Sequence, residues 1–168
     1  MKSILIGLKA LISLNLNAQI MNTPEQAITK LFVATDQQSW SEVESFFNEN
    51  VSLDYSSMNG NPAKNLTPQE ITTAWKSILP GFEYTHHQLG NFIVEAGEHK
   101  ASVFCYGTAS HYLENKEGNV WQVVGSYDFE LIKLETDAWK ITEMKFNFKY
   151  QDGNTSLPDL ALNNIKPK

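Results

Sequence analysis

The second half of the chain alternates apolar and polar residues over four unusually long stretches. They span residues 84–95, 100–113, 120–134 and 139–150. This alternation predicts β-strands, and the short polar segments between them, such as Glu95-Ala96-Gly97-Glu98, predict tight reversals. Strands joined in this way form an antiparallel meander. Because each stretch is longer than a typical strand, we expect strong twist or β-bulges in the sheet.

The first half of the chain carries helix signals instead. Thr23-Pro24-Glu25-Gln26 and Thr67-Pro68-Gln69-Glu70 each place proline after a capping threonine and Gln or Glu three residues after it. A further helix is predicted after residue 39 and a short strand at residues 51–55. This order predicts an α+β fold, in which three N-terminal helices pack on the concave side of a cone-shaped, curved antiparallel β-sheet. Such a cone leaves a pocket at its mouth.

Length and composition suit one domain with a sizeable core. The chain has 168 residues, and 42% of them are hydrophobic. Its net charge is −6 and its lysines are scattered singly, which excludes a nucleic-acid-binding stripe. The single cysteine, Cys105, excludes an internal disulfide and a cysteine-based zinc site. We place the domain at residues 22–151 and an irregular C-terminal tail at residues 152–168.

Residues 1–19 leave two interpretations open. An apolar run after Lys2, with the small residue Ala18 near its end, is typical of a signal peptide cleaved after Ala18. The protein would then be secreted or periplasmic. Alternatively, the segment is an N-terminal extension, such as an amphipathic helix, and the protein is cytoplasmic. Lys9 interrupts the apolar run, which is too short and too broken to span a membrane.

Two histidines share strand faces with small and apolar residues. His87 shares its face with Leu89, and His111 shares its face with Cys105 and Ala109. A face of this kind suits the wall of a pocket. The alternative interpretation, that each histidine is a hydrogen-bonded core residue, stays open for both.

Several segments together resemble the SnoaL-like branch of the nuclear transport factor 2-like superfamily, with motifs nearest to those of the scytalone dehydratases. The features in this chain are Asp36 four residues before Trp40, Leu53-Asp54-Tyr55-Ser56-Ser57, Thr85-His86-His87-Gln88-Leu89-Gly90, Ser110-His111-Tyr112 and Ala138-Trp139-Lys140-Ile141. The resemblance spans roughly residues 24–151 and implies a cystatin-like α+β barrel. It implies the fold more strongly than the activity, because the superfamily contains isomerases, dehydratases, epoxide hydrolases, cyclases and non-catalytic binding domains.

The resemblance also implies roles for individual residues. The acid–histidine pair of the dehydratases falls on Asp36 and His111, so these two side chains are expected to touch. His111 would be the general base, and Asp36 would stabilise its protonated form. The carbonyl-orienting tyrosine falls on Tyr55. The second pocket histidine falls on His87 and the pocket serine on Ser126, where both would hold the departing oxygen.

Two positions depart from the dehydratase pattern. Thr35 stands where the dehydratases have a second tyrosine, and Asp128 stands where they have an asparagine. Because Asp128 follows Ser126 by two residues on a predicted strand, both should share a face and contribute to substrate binding. Inside an apolar cone the pKa of Asp128 would be raised. Alternatively, Asp128 lies on the outer face of the sheet and pairs with a lysine.

Two functional hypotheses follow from these residues. The first is a cofactor-free lyase or isomerase of the dehydratase type, which acts by general acid–base chemistry on a small hydroxylated or carbonyl-bearing cyclic compound. The second is a non-catalytic domain that binds a small apolar or cyclic metabolite in the same cone. We expect no metal site, because His86 and His87 alternate to opposite faces of a strand.

The last predicted strand carries a stripe of large apolar residues, namely Met144, Phe146, Phe148 and Tyr150. Such a stripe suits a sheet face that pairs with another copy of the chain, and a homo-oligomer (a dimer or a trimer) is therefore expected. The alternative is that the stripe packs beneath the helices.

Overall fold

The computed structural model describes residues 22–165, so the expectations for residues 1–19 lie outside the described residues. The elements in chain order are α1 (Pro24–Asp36), α2 (Trp40–Phe46), β1 (Phe47–Asp54), α3 (Ser56–Asn59), β2 (Lys64–Leu66), α4 (Pro68–Lys76), a 3₁₀ turn (Leu79–Gly81), β3 (Tyr84–Ala96), β4 (Lys100–Tyr112), β5 (Val120–Lys133), β6 (Trp139–Gly153) and α5 (Leu157–Ile165). None of the helices within residues 22–165 is long and apolar enough to cross a membrane.

One curved, six-stranded sheet holds all the strands of residues 22–165, in the order β2-β1-β6-β5-β4-β3. The predicted meander of β3 to β6 is antiparallel throughout, which confirms the α+β fold with helices on one side of the sheet. The one departure from an antiparallel sheet is β1, which pairs in parallel with β6. A parallel pair needs a long connection, and the whole chain between β1 and β6 supplies it.

Irregularities in strand register bend the sheet, as the strand lengths predicted. β3 shifts against β4 between Gly90 and Ile93, where Asn91 has a positive φ of 55°. β5 shifts against β6 between Val124 and Gly125. A residue inserted into one strand of a pair increases the local twist and bends the strand. The sheet therefore curves around the helices that it packs against.

Helix α1 packs across the concave face of the sheet. Its capping box is formed as predicted, because Oγ1 of Thr23 accepts from the backbone N–H of Gln26 at 3.2 Å and the Gln26 side chain accepts from the backbone of Thr23. The buried stripe of the helix includes Leu31 and Phe32, and the Phe32 ring contacts Tyr127 of β5 at a centroid distance of 5.1 Å. The helix ends at Asp36.

The apolar stripe on β6 does not form one exposed face. Met144 and Phe146 are buried, whereas Tyr150 is exposed. Most of the stripe therefore packs beneath the helices, which was the alternative interpretation. The homo-oligomer stays a prediction. Tyr106 and Ile93 are exposed on the outer face of the sheet, and charged substitutions at these two positions, followed by analytical ultracentrifugation, would test whether copies of the chain pair through that face.

The expectation of an irregular tail after residue 152 was wrong. β6 continues to Gly153, and α5 covers Leu157–Ile165. Leu157 and Ala161 lie one helical turn apart and are fully buried. The helix rests on the 3₁₀ turn, where the Asn164 side chain donates to the carbonyl of Gly81 at 3.0 Å. A pair of apolar residues on one helix face is too weak a pattern to stand out beside Pro158 in the sequence.

We predict that Leu157→Ala lowers the free energy of unfolding by about 2–5 kcal/mol, because it leaves a cavity between α5 and the rest of the core. The matched control is Leu160→Ala on the outward side of the same helix, which should change stability by less than about 0.5 kcal/mol. Urea denaturation followed by circular dichroism measures both. Equal effects of the two variants would contradict the packing described for α5.

Candidate functional site

A cavity of about 140 Å³ lies between α1, the 3₁₀ turn and the concave face of the sheet. Most of its lining is apolar and includes Phe32, Trp75, Ile78, Leu79, Val123 and Phe146. Its polar side chains are fewer and are carried by Thr35, Tyr55, His87, His111 and Tyr127. An apolar cavity with a few convergent polar groups is the usual form of a small-molecule site.

Asp36, the last residue of α1, joins the helix to β3 at the edge of this cavity. Its carboxylate accepts hydrogen bonds from the Thr85 hydroxyl at 3.0 Å, from the backbone N–H of His87 at 2.8 Å and from Nδ1 of the His87 ring at 2.7 Å. Burial opposes the ionisation of Asp36, but the hydrogen bonds and charge of His87 outweigh burial, so the pKa of Asp36 is lowered. The carboxylate is therefore ionised at neutral pH.

The contact with Asp36 settles which nitrogen of His87 carries the proton. An ionised carboxylate can only accept, so Nδ1 donates to it, and in the neutral imidazole Nε2 is the ring nitrogen with a free lone pair. The His87 ring packs against Phe32 with a centroid distance of 5.1 Å, which limits its rotation. His87 lines the cavity, and Nε2 is thus available as a base to a molecule bound there.

His111 lies deeper in the fold, in a different environment. Its ring packs against Trp121 at 4.5 Å and Phe82 at 4.9 Å between centroids, and the residue is only 5% exposed. Burial and the charge of His87 lower the pKa of His111 to about 4, against the smaller opposing effects of the Trp121 backbone and Asp36. His111 is therefore uncharged at neutral pH. Its buried Nδ1 has no hydrogen-bond partner among the described residues.

The expected contact between Asp36 and His111 was wrong, because Asp36 binds His87 instead. β3 is an edge strand of the sheet, so an N–H that faces away from β4 is free to bind a side chain, and the N–H of His87 does so. His111 pairs across the sheet with Thr85 rather than with His87. The two histidine rings nonetheless share one face of the sheet, with centroids 6.0 Å apart.

Two tyrosines complete the polar side of the cavity. Tyr55 follows β1, in a turn that the Ser57 hydroxyl ties to β6 by donating to the carbonyl of Phe146 at 2.6 Å. Burial raises the pKa of the Tyr55 phenol, and burial also raises the pKa of Tyr127 well above its usual value. Both phenols are therefore protonated at neutral pH and can donate hydrogen bonds.

A family model described as the SnoaL-like domain matches residues 25–145. The chain belongs to this SnoaL-like family. The resemblance drawn from the sequence motifs is thereby confirmed. No functionally curated protein matches the chain.

Solved structures share the fold of this SnoaL-like domain. The Kfla4162 protein from Kribbella flavida is 20% identical to this chain with a TM-score of 0.72, and the aligned region covers 82% of this chain and 93% of the Kfla4162 chain. A protein provisionally named scytalone dehydratase from Novosphingobium aromaticivorans is 18% identical with a TM-score of 0.64, over 82% and 89% of the two chains. A hexachlorocyclohexane dehydrochlorinase is 15% identical with a TM-score of 0.64, over 78% and 86%.

The expectation that Ser126 opens into the cavity was also wrong. Along β5 the odd-numbered residues Val123 and Tyr127 line the cavity, whereas Ser126 and Asp128 alternate to the other face. Asp128 is exposed there and accepts a hydrogen bond from the Asn147 side chain at 2.6 Å. Sequence parity correctly put Ser126 and Asp128 on one face but did not say which face.

Tyr127 is the cavity residue that the sequence reasoning missed. A usable signal existed, because all three aromatic residues of β5 (Trp121, Tyr127 and Phe129) occupy odd positions. A face with that composition is the buried one. Trp121 and Phe82, which enclose His111, were missed as well. No group of three or more His, Cys, Asp or Glu side chains able to hold a metal ion occurs in residues 22–165.

We predict that the environment of His111 makes the fold sensitive to acid. An unfolded chain protonates this histidine near pH 6.5, whereas the folded chain resists protonation until about pH 4. The unfolded state therefore gains protons first as the pH falls, and the free energy of unfolding decreases by up to about 3 kcal/mol between these values.

Urea denaturation at several pH values between 7 and 4 measures this loss. The control is His111→Phe, which keeps an aromatic ring between Trp121 and Phe82 but cannot titrate. The stability of the wild type relative to the control should decrease as the pH falls from about 6.5 to about 4. A difference that is independent of pH would contradict the neutral, buried state of His111.

Proposed function

We propose that this SnoaL-like domain is a cofactor-free lyase or isomerase, which acts by general acid–base chemistry on a small hydroxylated or carbonyl-bearing cyclic compound. The observation that carries the proposal is the 2.7 Å hydrogen bond between Asp36 and Nδ1 of His87, at a cavity that also presents an uncharged histidine and two phenols. A base oriented by an acid, next to hydrogen-bond donors in an apolar cavity, suits proton abstraction beside a carbonyl.

In the proposed reaction His87 is the base, in the role that the sequence resemblance implied for His111. Nε2 of His87 takes a proton from the carbon next to a carbonyl, and the electron pair of the broken C–H bond moves to the carbonyl oxygen as an enolate. The Tyr55 hydroxyl donates to that oxygen. Asp36 stabilises the imidazolium that forms, because its negative charge lies against Nδ1.

The second half of the reaction expels a hydroxyl group from the neighbouring carbon. The enolate electrons form the new C=C bond, the C–O bond breaks, and the His87 imidazolium returns its proton so that water leaves. His111 supports this step as an uncharged hydrogen-bonding partner of the departing oxygen, since its low pKa keeps it neutral. An isomerase would instead return the proton to a different carbon of the enolate.

The similar structures support elimination chemistry. A scytalone dehydratase and a hexachlorocyclohexane dehydrochlorinase are named for the removal of water and of hydrogen chloride. Both reactions couple loss of a proton to loss of a leaving group. We carry this reaction class, and not either substrate, over to the present chain.

A non-catalytic binding domain is the second candidate. The observation that favours it is the apolar lining of the cavity, with aromatic rings from Phe32, Trp75 and Phe146, which would hold an apolar metabolite without any chemistry. The two candidates differ in what removal of the His87 imidazole does. Catalysis requires the imidazole, whereas apolar binding does not.

The test is a screen of cyclic hydroxyketones and hydroxylated aromatic compounds, with mass spectrometry to detect loss of water or isomerisation. We predict that His87→Ala abolishes turnover and that Asp36→Asn lowers it on the order of 10²–10⁴-fold, because the imidazolium loses its charged partner. Tyr55→Phe should lower turnover about a hundredfold by removing one donor to the enolate oxygen.

His86→Ala is the matched control, because His86 is the adjacent histidine on β3 and is exposed on the opposite face of the sheet. It should leave turnover unchanged. Full activity of His87→Ala would rule out the proposed base. If no compound reacts, and an apolar ligand raises the melting temperature of wild type and His87→Ala equally, the domain is a binding protein.

A further inference from the structure

Tyr127 lies in the middle of β5 and has no part in the reaction described above. Its ring packs between Phe32 and Phe146, with centroid distances of 5.1 Å and 4.9 Å. Its hydroxyl forms no hydrogen bond with any residue in the described part of the chain, although it is not sealed off from the cavity. A phenol in a protein interior normally has a partner for its hydroxyl. The free hydroxyl is therefore available to a bound molecule.

A glycine on the neighbouring strand β4 makes room for the Tyr127 ring. Gly107 of β4 lies beside the ring, and a Cβ at that position would come within 2.4 Å of Cε2 and 2.9 Å of Cδ2 of Tyr127. Any other residue at position 107 would thus compete with the tyrosine for the same space. The absence of a side chain at Gly107 leaves the space that the Tyr127 ring occupies in the cavity wall.

Tyr55 lines the same cavity, and like Tyr127 it packs against Phe146. The centroids of the Tyr55 and Phe146 rings are 6.0 Å apart, and a charge on Tyr55 would raise the pKa of Tyr127 further. Thr35, in contrast, has no free donor, because its hydroxyl already donates to the carbonyl of Leu31 at 2.8 Å. Two phenol hydroxyls are therefore the donors that can converge on one acceptor in the cavity.

The cavity also limits the size and charge of a bound molecule that carries this hydrogen-bond acceptor. Its volume of about 140 Å³ is close to the roughly 150 Å³ of an apolar protein cavity that holds benzene. No lysine or arginine is among the described residues that line it, and the ionised Asp36 lies at its edge. A single-ring molecule without charge fits these limits, whereas an anion would be repelled.

We propose that Tyr127 is a second catalytic hydrogen-bond donor, which binds the carbonyl oxygen of an uncharged, single-ring substrate together with Tyr55. The assignment rests on the proposed function and deepens it, because it names the class of substrate and the group that receives the developing negative charge. Two donors on one oxygen stabilise an enolate more than one does, since charge accumulates there only in the transition state.

The test uses acetophenone labelled with carbon-13 at its carbonyl carbon, because infrared spectroscopy then reports hydrogen bonds to that oxygen without any turnover. Binding to the wild-type protein should lower the carbonyl stretching frequency below its value in an apolar solvent. Tyr127→Phe and Tyr55→Phe should each reverse part of the shift, and the double variant should reverse nearly all of it. Tyr106→Phe, on the exposed outer face of β4, is the control and should leave the shift unchanged.

Several results would overturn the assignment. One is a Tyr127→Phe variant with the wild-type frequency, and another is a failure of acetophenone to bind the wild-type protein. The size limit is tested with 2-acetylnaphthalene, which should bind at least tenfold more weakly, so equal or tighter binding would refute the single-ring class. Tyr127→Phe keeps the aromatic ring and removes only the hydroxyl. As a check that the variant folds, its melting temperature should stay within a few degrees of the wild-type value.

The outcome separates this proposal from the proposed function. With a substrate in hand, Tyr127→Phe should lower kcat about a hundredfold and change KM little. If the infrared shift depends on Tyr127 but no compound in the screen reacts, the two-donor site stands and the lyase or isomerase does not. If compounds react and the infrared shift is the same in wild type and Tyr127→Phe, the proposed lyase or isomerase activity is supported and the role of Tyr127 as a second donor is refuted.

Discussion

The carboxylate of Asp36 connects helix α1 to the edge strand β3 through hydrogen bonds. It accepts three hydrogen bonds from β3, one of them from a backbone N–H that has no strand beside it. A buried carboxylate without such partners would be costly, so the arrangement both fixes the end of α1 and keeps the acid ionised. The same bonds fix the His87 ring, and through it the orientation of the proposed base at the cavity.

The two histidines illustrate how surroundings divide one residue type into two functions. His87 lies against a carboxylate, whereas His111 lies between the rings of Trp121 and Phe82. The carboxylate orients the first imidazole through Nδ1, whereas burial penalises a positive charge on the second. Because the rings are 6.0 Å apart on one face of the sheet, an imidazole held by a carboxylate and an uncharged imidazole can contact the same small molecule. The cavity needs no flexible element to produce this difference.

The architecture was predictable from sequence because each part has its own local signal. Capping boxes mark the starts of two helices, and alternation marks the four long strands. The partners within the site were not predictable, because the choice between His87 and His111 for Asp36 depends on which strand lies at the edge of the sheet. The face of β5 was assigned from the resemblance to the dehydratases, although the apolar composition of the odd positions pointed to Tyr127.

The cavity is walled by segments that are far apart in the chain, and this separation has a consequence for folding during synthesis. The 3₁₀ turn that carries Leu79 is held by α5, through a bond between Gly81 and Asn164 across 83 positions, and the turn of Tyr55 is tied to β6 across 89 positions. The hairpin of β3 and β4 leaves the ribosome well before either tie can form. Contacts of such long range form slowly, so the nascent chain displays its apolar concave face until β6 and α5 have emerged. A chaperone that binds apolar strands would find its longest opportunity on β1, which emerges before this hairpin and also waits for β6.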